Sequence, residues 1–361
     1  MAGARCGLFI DVCVVRQRVV GRAGVHLFPV LMRAISKSFL LMAVLFVGAE
    51  LVGRLLFAQT LSGRFDYGYD ATAGFVENAD GTVDLVRAGG RKFFPQSFAL
   101  KREPDTARVM VIGDSVARGR DVASSYAGRL GVMLRESGVK AESFNMGLPG
   151  YGARRKQLVV QQALRYNPSL VILHVNSSNE FEDEREWRRR EEFRSPHPRN
   201  WLMKSVVIRR LFEVRTEKIF WELLPQEVRL QGAVSDADAE INASMNAGLL
   251  AQWHGLVRDQ TVLSVETAKK AGVPILLVLQ ANEVPTTDGH SMADDQGQYE
   301  WAAKLAGPNV EIIGMKDVFK GLDATALYVD GSHMKAAGHE LLARAIFERI
   351  KAKVVPPMVK P

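Results

Sequence analysis

The run Val109-Met110-Val111-Ile112 ends in Gly113-Asp114-Ser115, and no other feature constrains the fold of this chain as much. Four successive apolar residues, three of them β-branched, describe a strand buried on both faces, as in a parallel sheet covered by helices. The pattern recurs at Leu170–Val175 (LVILHV), at 274–279 (PILLVL) and at 310–313, with a further strand predicted over 141–146. Helical stretches alternate with these runs. Tyr126–Glu136 carries Leu130, Met133 and Leu134 on one face, 154–166 stops before Pro168, and 335–351 is an amphipathic closing helix. Strand–helix alternation of this kind predicts an α/β fold. The expected form is a flavodoxin-like three-layer sandwich around a central parallel sheet of about five strands, ordered 2-1-3-4-5, with ligands at the carboxyl edge near the switch point.

Two additions to that core are expected. The stretch 39–58, FLLMAVLFVGAELVGRLLFA, has about the length of a membrane span, with Glu50 and Arg54 placed i and i+4 so that a helix lets them pair. It reads as an uncleaved signal anchor over 38–58; no Ala-x-Ala site follows, as a cleaved signal peptide would require. Seven basic side chains against two acidic ones within residues 1–57 account for +5 of the net charge of +7. This concentration argues against a nucleic-acid-binding globular domain. Basic residues before the anchor leave the segment 1–37 in the cytoplasm and the globular part in the periplasm or exterior, a single-pass inner-membrane arrangement. Met32-Arg33 through Lys37 resembles a signal n-region, so Met32 is a second candidate start. Residues 59–107, rich in Gly, Asp and Arg, read as a juxtamembrane lead-in to a domain over 108–355. A helical insertion over about 182–255, with a mixed-charge run at 182–194 and an amphipathic stretch at 201–230, is expected beside the strand edge. Cys6 and Cys13 both precede the globular region, which leaves it no disulfide framework and no cysteine-based zinc site.

The chemistry-bearing residues collect at strand ends. Ser115 follows the first strand; Asn145-Met-Gly147-Leu-Pro-Gly150 follows the second; Asn176-Ser-Ser-Asn179-Glu180 follows the third; Asp330-Gly-Ser-His333 precedes the closing helix. A serine at a strand's carboxyl edge is placed for nucleophilic attack if a base reaches it. Asp330 and His333, in one turn, could supply that base and the carboxylate that orients it. Acyl transfer also needs donors aimed at a developing oxyanion, which the Ser115 N–H, the Gly150 N–H and the Asn179 amide could provide. Each block alone is ordinary: Gly-Asp-Ser is a turn, Gly150 follows Pro149 as a turn glycine does, and an isolated Asn caps helices.

Taken in order, the four blocks resemble the SGNH (GDSL-type) hydrolase superfamily over roughly residues 105–352. The resemblance implies Ser115 as nucleophile, Asp330 and His333 as its partners, Gly150 and Asn179 as oxyanion donors, and no cofactor or metal. It implies a serine esterase acting on acetyl or other acyl groups of an envelope glycan or a lipid, bound to the membrane by its N-terminal helix and not to nucleic acid. The third block departs from the family's Gly-x-Asn-Asp, reading Ser177-Ser178-Asn179-Glu180. Two alternatives stand beside the esterase: an O-acyltransferase on polysaccharide using the same triad, and a non-catalytic glycan-binding protein that keeps the fold. No Gly-x-Ser-x-Gly elbow, P-loop or His-Glu-x-x-His motif is present. His174 reads as a core or near-site residue of the third strand, and His339 as a surface or packing residue of the closing helix.

Overall fold

The computed structural model describes residues 24–65, 69, 72–88, 91–177, 179–180, 183–184, 187, 205–208, 211, 247–287, 289–295 and 297–354. Its centre is a five-stranded, all-parallel sheet built from β4 (Ala107–Gly113), β5 (Ala141–Gly147), β6 (Leu170–Val175), β7 (Ile275–Leu279) and β10 (Val310–Gly314). The spatial order β10-β7-β6-β4-β5 is the expected 2-1-3-4-5 arrangement. Register aligns Gly113 with Gly147, Ile112 with Leu173, Val175 with Leu279 and Gly314 with Leu279, so the carboxyl ends form one edge.

Every residue of β4, β6 and β7 is buried, which is why these strands show no polar alternation. Val109 and Val111 pack to one side with Leu130 and Leu134 of α3 (Tyr126–Glu136) and Leu342 and Ile346 of the closing helix α9 (Ala336–Val354). Met110 and Ile112 pack to the other with Val159 and Val160 of α4 (Ala153–Leu164) and Val257 and Val265 of α5 (Ala247–Lys270). Residues 247–255, expected within the insertion, therefore begin a 24-residue helix of the sandwich layer. Most of the rest of the insertion lies outside the described residues, as do residues 1–23 of the N-terminal segment.

The stretch expected as a lead-in holds a second sheet, antiparallel, of β1 (Phe75–Glu77), β2 (Thr82–Ala88) and β3 (Arg91–Ala99). Phe75, Val83, Leu85, Phe93 and Phe98 enter the same core as Met110 and Phe144. Each buried phenylalanine contributes about 1.5–3 kcal/mol, enough to hold the sheet to the domain. The Gln96 side-chain amide pairs with both backbone groups of Asn145, accepting its N–H at 2.8 Å and donating to its carbonyl at 2.7 Å. That pairing supplies edge strand β5 with a partner it would otherwise lack. After β7 the chain makes a hairpin, β8 (Ala281–Thr286) and β9 (Gly289–Asp294), then the short helices α6 (Gln298–Ala302), α7 (Met315–Val318) and α8 (Ala324–Leu327).

Helix α1 (Gly24–Phe65) contains an apolar stretch, Ile35–Leu56, of mean hydropathy 2.1, long and apolar enough to cross a membrane. Its large apolar side chains face outward; Leu40 is 67% and Leu55 85% exposed. Glu50 pairs with Arg54 at 2.8 Å as the i,i+4 spacing predicts. The same carboxylate accepts the Ser205 hydroxyl at 2.7 Å and the N–H groups of Val206 and Val207 at 3.0 and 3.1 Å, so part of the insertion docks on the helix here. A side chain at Gly53 would crowd Val206, its Cβ falling 3.0 Å from a Val206 methyl.

Candidate active site

β4 ends at Gly113 because the chain must turn at once into α2 (Ser115–Arg118): a Cβ at Gly113 would lie 2.4 Å from the Ala117 Cβ. Asp114 caps α2, accepting the Val116 N–H at 2.9 Å. Ser115 thus opens a short helix at the carboxyl edge of the sheet. Its Oγ lies 2.9 Å from Nε2 of His333, 218 residues away in sequence. Nδ1 of His333 faces both oxygens of Asp330, at 2.9 and 3.0 Å. Asp330 Oδ1 also accepts the N–H groups of Ser332 and His333 at 2.9 and 2.8 Å. Its limited burial acts to raise the carboxyl pKa, but those two N–H groups and the imidazole outweigh it and hold the value below the usual range. With side-chain exposures of 55% for Asp330 and 44% for His333, water screens the pair, so the carboxylate's use is orientation of the ring more than energy of attraction.

The segments that carry the donor candidates are tied to the first block through Gly113 and Asp114. Leu148 donates to the Gly113 carbonyl at 3.1 Å, tying the second block to the first. Tyr151 N–H closes on the Leu148 carbonyl at 3.3 Å with Gly150 at φ 71°, the pattern of a type II turn that glycine alone adopts cheaply after Pro149. Asn145 is buried: its amide donates to the Arg118 carbonyl at the end of α2, and its oxygen accepts the Gly147 N–H, both at 2.9 Å. Asn179 donates through Nδ2 to Asp114 Oδ2 at 2.6 Å, beside Asn176, which donates to the same oxygen at 2.5 Å.

Lys156, Arg155 and Asp183 carried no sequence signal as a motif. Lys156 of α4, 3% exposed, donates to Asn176 Oδ1 at 2.6 Å and lies 3.7 Å from Asp114 Oδ2. Burial acts to raise the Asp114 pKa, yet the nearby Lys156 charge and the hydrogen bonds from Asn176 and the Val116 N–H bring it below the ordinary value. One trace of Lys156 was readable: it shares a helix face with Val159, Val160 and Ala163, at offsets three, four and seven. Glu180 accepts the Ala153 N–H at 2.7 Å and so caps α4, whose own N-cap, Gly152, has no side chain to do it. Burial first, and the neighbouring Asp183 charge second, push the Glu180 carboxyl up to about 8. Asp183 is fully buried against Arg155, which lies 5.1 Å over the Tyr69 ring and 4.8 Å over the Tyr151 ring. Ser177, where the family pattern has glycine, gives its N–H (2.8 Å) and its hydroxyl (3.1 Å) to Asp295. His339 packs, stacked on Tyr126.

No family model matches the chain, and no curated protein matches it. Among solved structures it is similar to Axe2, an acetylxylan esterase from Geobacillus stearothermophilus, at 15% identity and a TM-score of 0.40, covering 70% of this chain and 97% of that one. It is similar to a GDSL-like lipase from Bacteroides thetaiotaomicron VPI-5482 at 11% identity and a TM-score of 0.39, covering 71% and 92%. It is also similar to AlinE4, an SGNH-hydrolase family esterase, at 18% identity and a TM-score of 0.32, covering 71% and all of that chain.

Proposed function

We propose that this chain is a serine ester hydrolase of the SGNH type, anchored in a membrane by α1 with its α/β domain on the side away from the basic N-terminal flank. The observation that carries the reading is the linear relay Ser115 Oγ–His333 Nε2, His333 Nδ1–Asp330, formed from opposite ends of the domain at 2.9 Å per step. Packing alone has no need of that order of atoms. In this reading His333 takes the Ser115 proton as Oγ bonds to the ester carbonyl carbon, and Asp330 keeps the ring in the tautomer with Nε2 bare. Charge on the carbonyl oxygen meets the Ser115 and Gly150 N–H groups and the Asn179 amide. Collapse expels the alcohol with the proton from His333, and water, deprotonated by His333, then releases the acyl group as the acid.

Acetyl or other acyl groups on an envelope glycan or lipid suit an anchored domain that meets its substrate at a membrane. The full-length protein in detergent should hydrolyse p-nitrophenyl acetate without any sugar acceptor, which separates hydrolysis from acyl transfer. Ser115→Ala and His333→Ala should each lose roughly 10⁴–10⁶ of turnover. A fluorophosphonate probe should label the wild type and spare Ser115→Ala; equal labelling of both removes Ser115 as nucleophile and the reading with it.

A further inference from the structure

The turn that carries Asp330 and His333 is exposed, yet it must hold the imidazole in line with Ser115. Two contacts from the chain after β7 fasten it. The Glu283 N–H donates to the Gly331 carbonyl at 2.8 Å, and Gln280 Nε2 donates to the Ser332 carbonyl at 3.2 Å. Gln280 is 1% exposed and sits directly after β7, its own N–H held by the Val175 carbonyl at 3.0 Å.

The orientation of its amide is fixed by what surrounds it. Nε2 lies 2.7 Å from the Ala281 carbonyl and 3.1 Å from Asn282 Oδ1, besides Ser332. Two of these three neighbours are carbonyls that cannot donate, so the nitrogen, not the oxygen, must face them. Oε1 is then turned to His174 Nε2 at 2.7 Å, which has to carry the hydrogen. His174 Nδ1 is left bare to accept the Tyr126 hydroxyl at 3.3 Å. Tyr126 and His174 are both fully buried, and burial drives the His174 pKa down to about 4, in keeping with a neutral ring. A directed chain of hydrogen bonds thus runs from α3 through β6 and the end of β7 to the backbone of the exposed turn.

We propose that Gln280, oriented by His174 and Tyr126, is a positioning residue that locks the Asp330–His333 turn in register with Ser115. The proposal deepens the ester-hydrolase reading and rests on it. Gln280 touches no reacting atom; it acts through the Ser332 carbonyl, one residue from the imidazole.

The test uses the full-length protein in detergent and two variants, Gln280→Met, similar in length but without donors, and Gln280→Asn, an amide one methylene too short. In each folded variant kcat on p-nitrophenyl acetate should fall roughly 10–100-fold, the scale of a misplacement near 1 Å. KM should stay within about twofold, and Ser115 labelling by fluorophosphonate should slow in parallel. Amide hydrogens over 328–336 should exchange faster while those of β4 and β6 do not. A kcat within about twofold of wild type, or unchanged exchange over 328–336, overturns the proposal while leaving the ester-hydrolase reading standing. Absence of Ser115-dependent turnover in the wild type overturns both.

Discussion

Replacing Lys156 with Met should destabilise the α/β domain by about 3–4 kcal/mol at neutral pH, near the lower end of what breaking a buried ion pair costs. The lower end applies because Asp114 keeps its hydrogen bonds from Val116, Asn176 and Asn179 when the ammonium 3.7 Å away is removed. Methionine fills similar volume, so no cavity term of consequence adds to the loss. The pH dependence is the sharper signature. In the wild type Asp114 is held below its ordinary pKa. A depressed carboxyl contributes stability that is complete above the unfolded value of about 3.9 and is lost as pH falls through the folded one. Without Lys156, burial becomes the dominant influence, the folded pKa rises above the unfolded one, and the penalty exists only where the unfolded carboxyl is ionised. The gap between variant and wild type should therefore be widest near neutrality, narrow as the pH falls through the variant's raised pKa, and close only below the wild type's depressed one. Urea unfolding of the full-length protein in detergent, followed by tryptophan fluorescence at about pH 7.5 and about pH 4.5, measures both quantities. A loss under about 1 kcal/mol, or one of equal size at the two pH values, would refute the assignment of Lys156 as the charge partner of Asp114.

Other substitutions test neighbouring steps. Asp330→Asn should slow turnover less than Ser115→Ala, by about 10–100-fold in relative terms, because an exposed carboxylate orients the ring and does not react; equal losses would give Asp330 a larger part. Asn179→Ala should lower kcat by roughly 10²–10³ with KM little changed, if its amide meets the oxyanion. A fall in melting temperature with wild-type kcat in the folded fraction would leave Asn179 as a partner of Asp114 only. Glu180, with its carboxyl at about 8, contributes stability at acid pH that fades above the unfolded value near 4.5 and is gone past about 8. Glu180→Gln keeps an acceptor for the Ala153 N–H and carries no charge, so it should flatten the pH slope and raise the melting temperature above wild type at about pH 9; a lower melting temperature there would show that the charge itself is needed.

The five sheet strands were legible to within a residue or two because strands buried on both faces must be apolar at every position. Their order followed from strand–helix alternation. The antiparallel sheet of β1–β3 was not legible. Its core positions, Phe75, Val83, Leu85, Phe93 and Phe98, are separated by Gly, Asp, Arg and Pro, and only folding brings them against one another and against Phe144 and Tyr166. The β8–β9 hairpin was hidden for a related reason, since Pro285 within β8 argues against a strand except at an edge. At the site, Ser115, His333 and Asp330 could be picked out by residue type and the order of blocks. Lys156 and Gln280 could not, and Glu180 stood in the third block with no sign of its burial, because a polar residue's burial is decided by partners far away in sequence.

The departure of the third block from the SGNH pattern it resembles illustrates the same dependence. A glycine two residues before Asn179 would supply backbone freedom; this chain has Ser177, whose N–H and hydroxyl are both held by Asp295. Burial raises the Asp295 carboxyl above its ordinary pKa, a cost accepted where a loop must be fixed and not free. With Ser177 pinned, Asn176 and Asn179 both reach the same oxygen of Asp114, and Glu180 turns back to cap α4. Asp114 thereby joins the first block to the third, and through Lys156 to the helix that follows the second. Such a carboxylate, one residue before Ser115, would oppose the growth of negative charge on an oxyanion if it stood alone. The Lys156 ammonium, 3.7 Å from the same Asp114 oxygen that Asn179 binds, offsets that charge. Ser177 is thus held by Asp295, and the Asn179 amide is linked through Asp114 to Lys156.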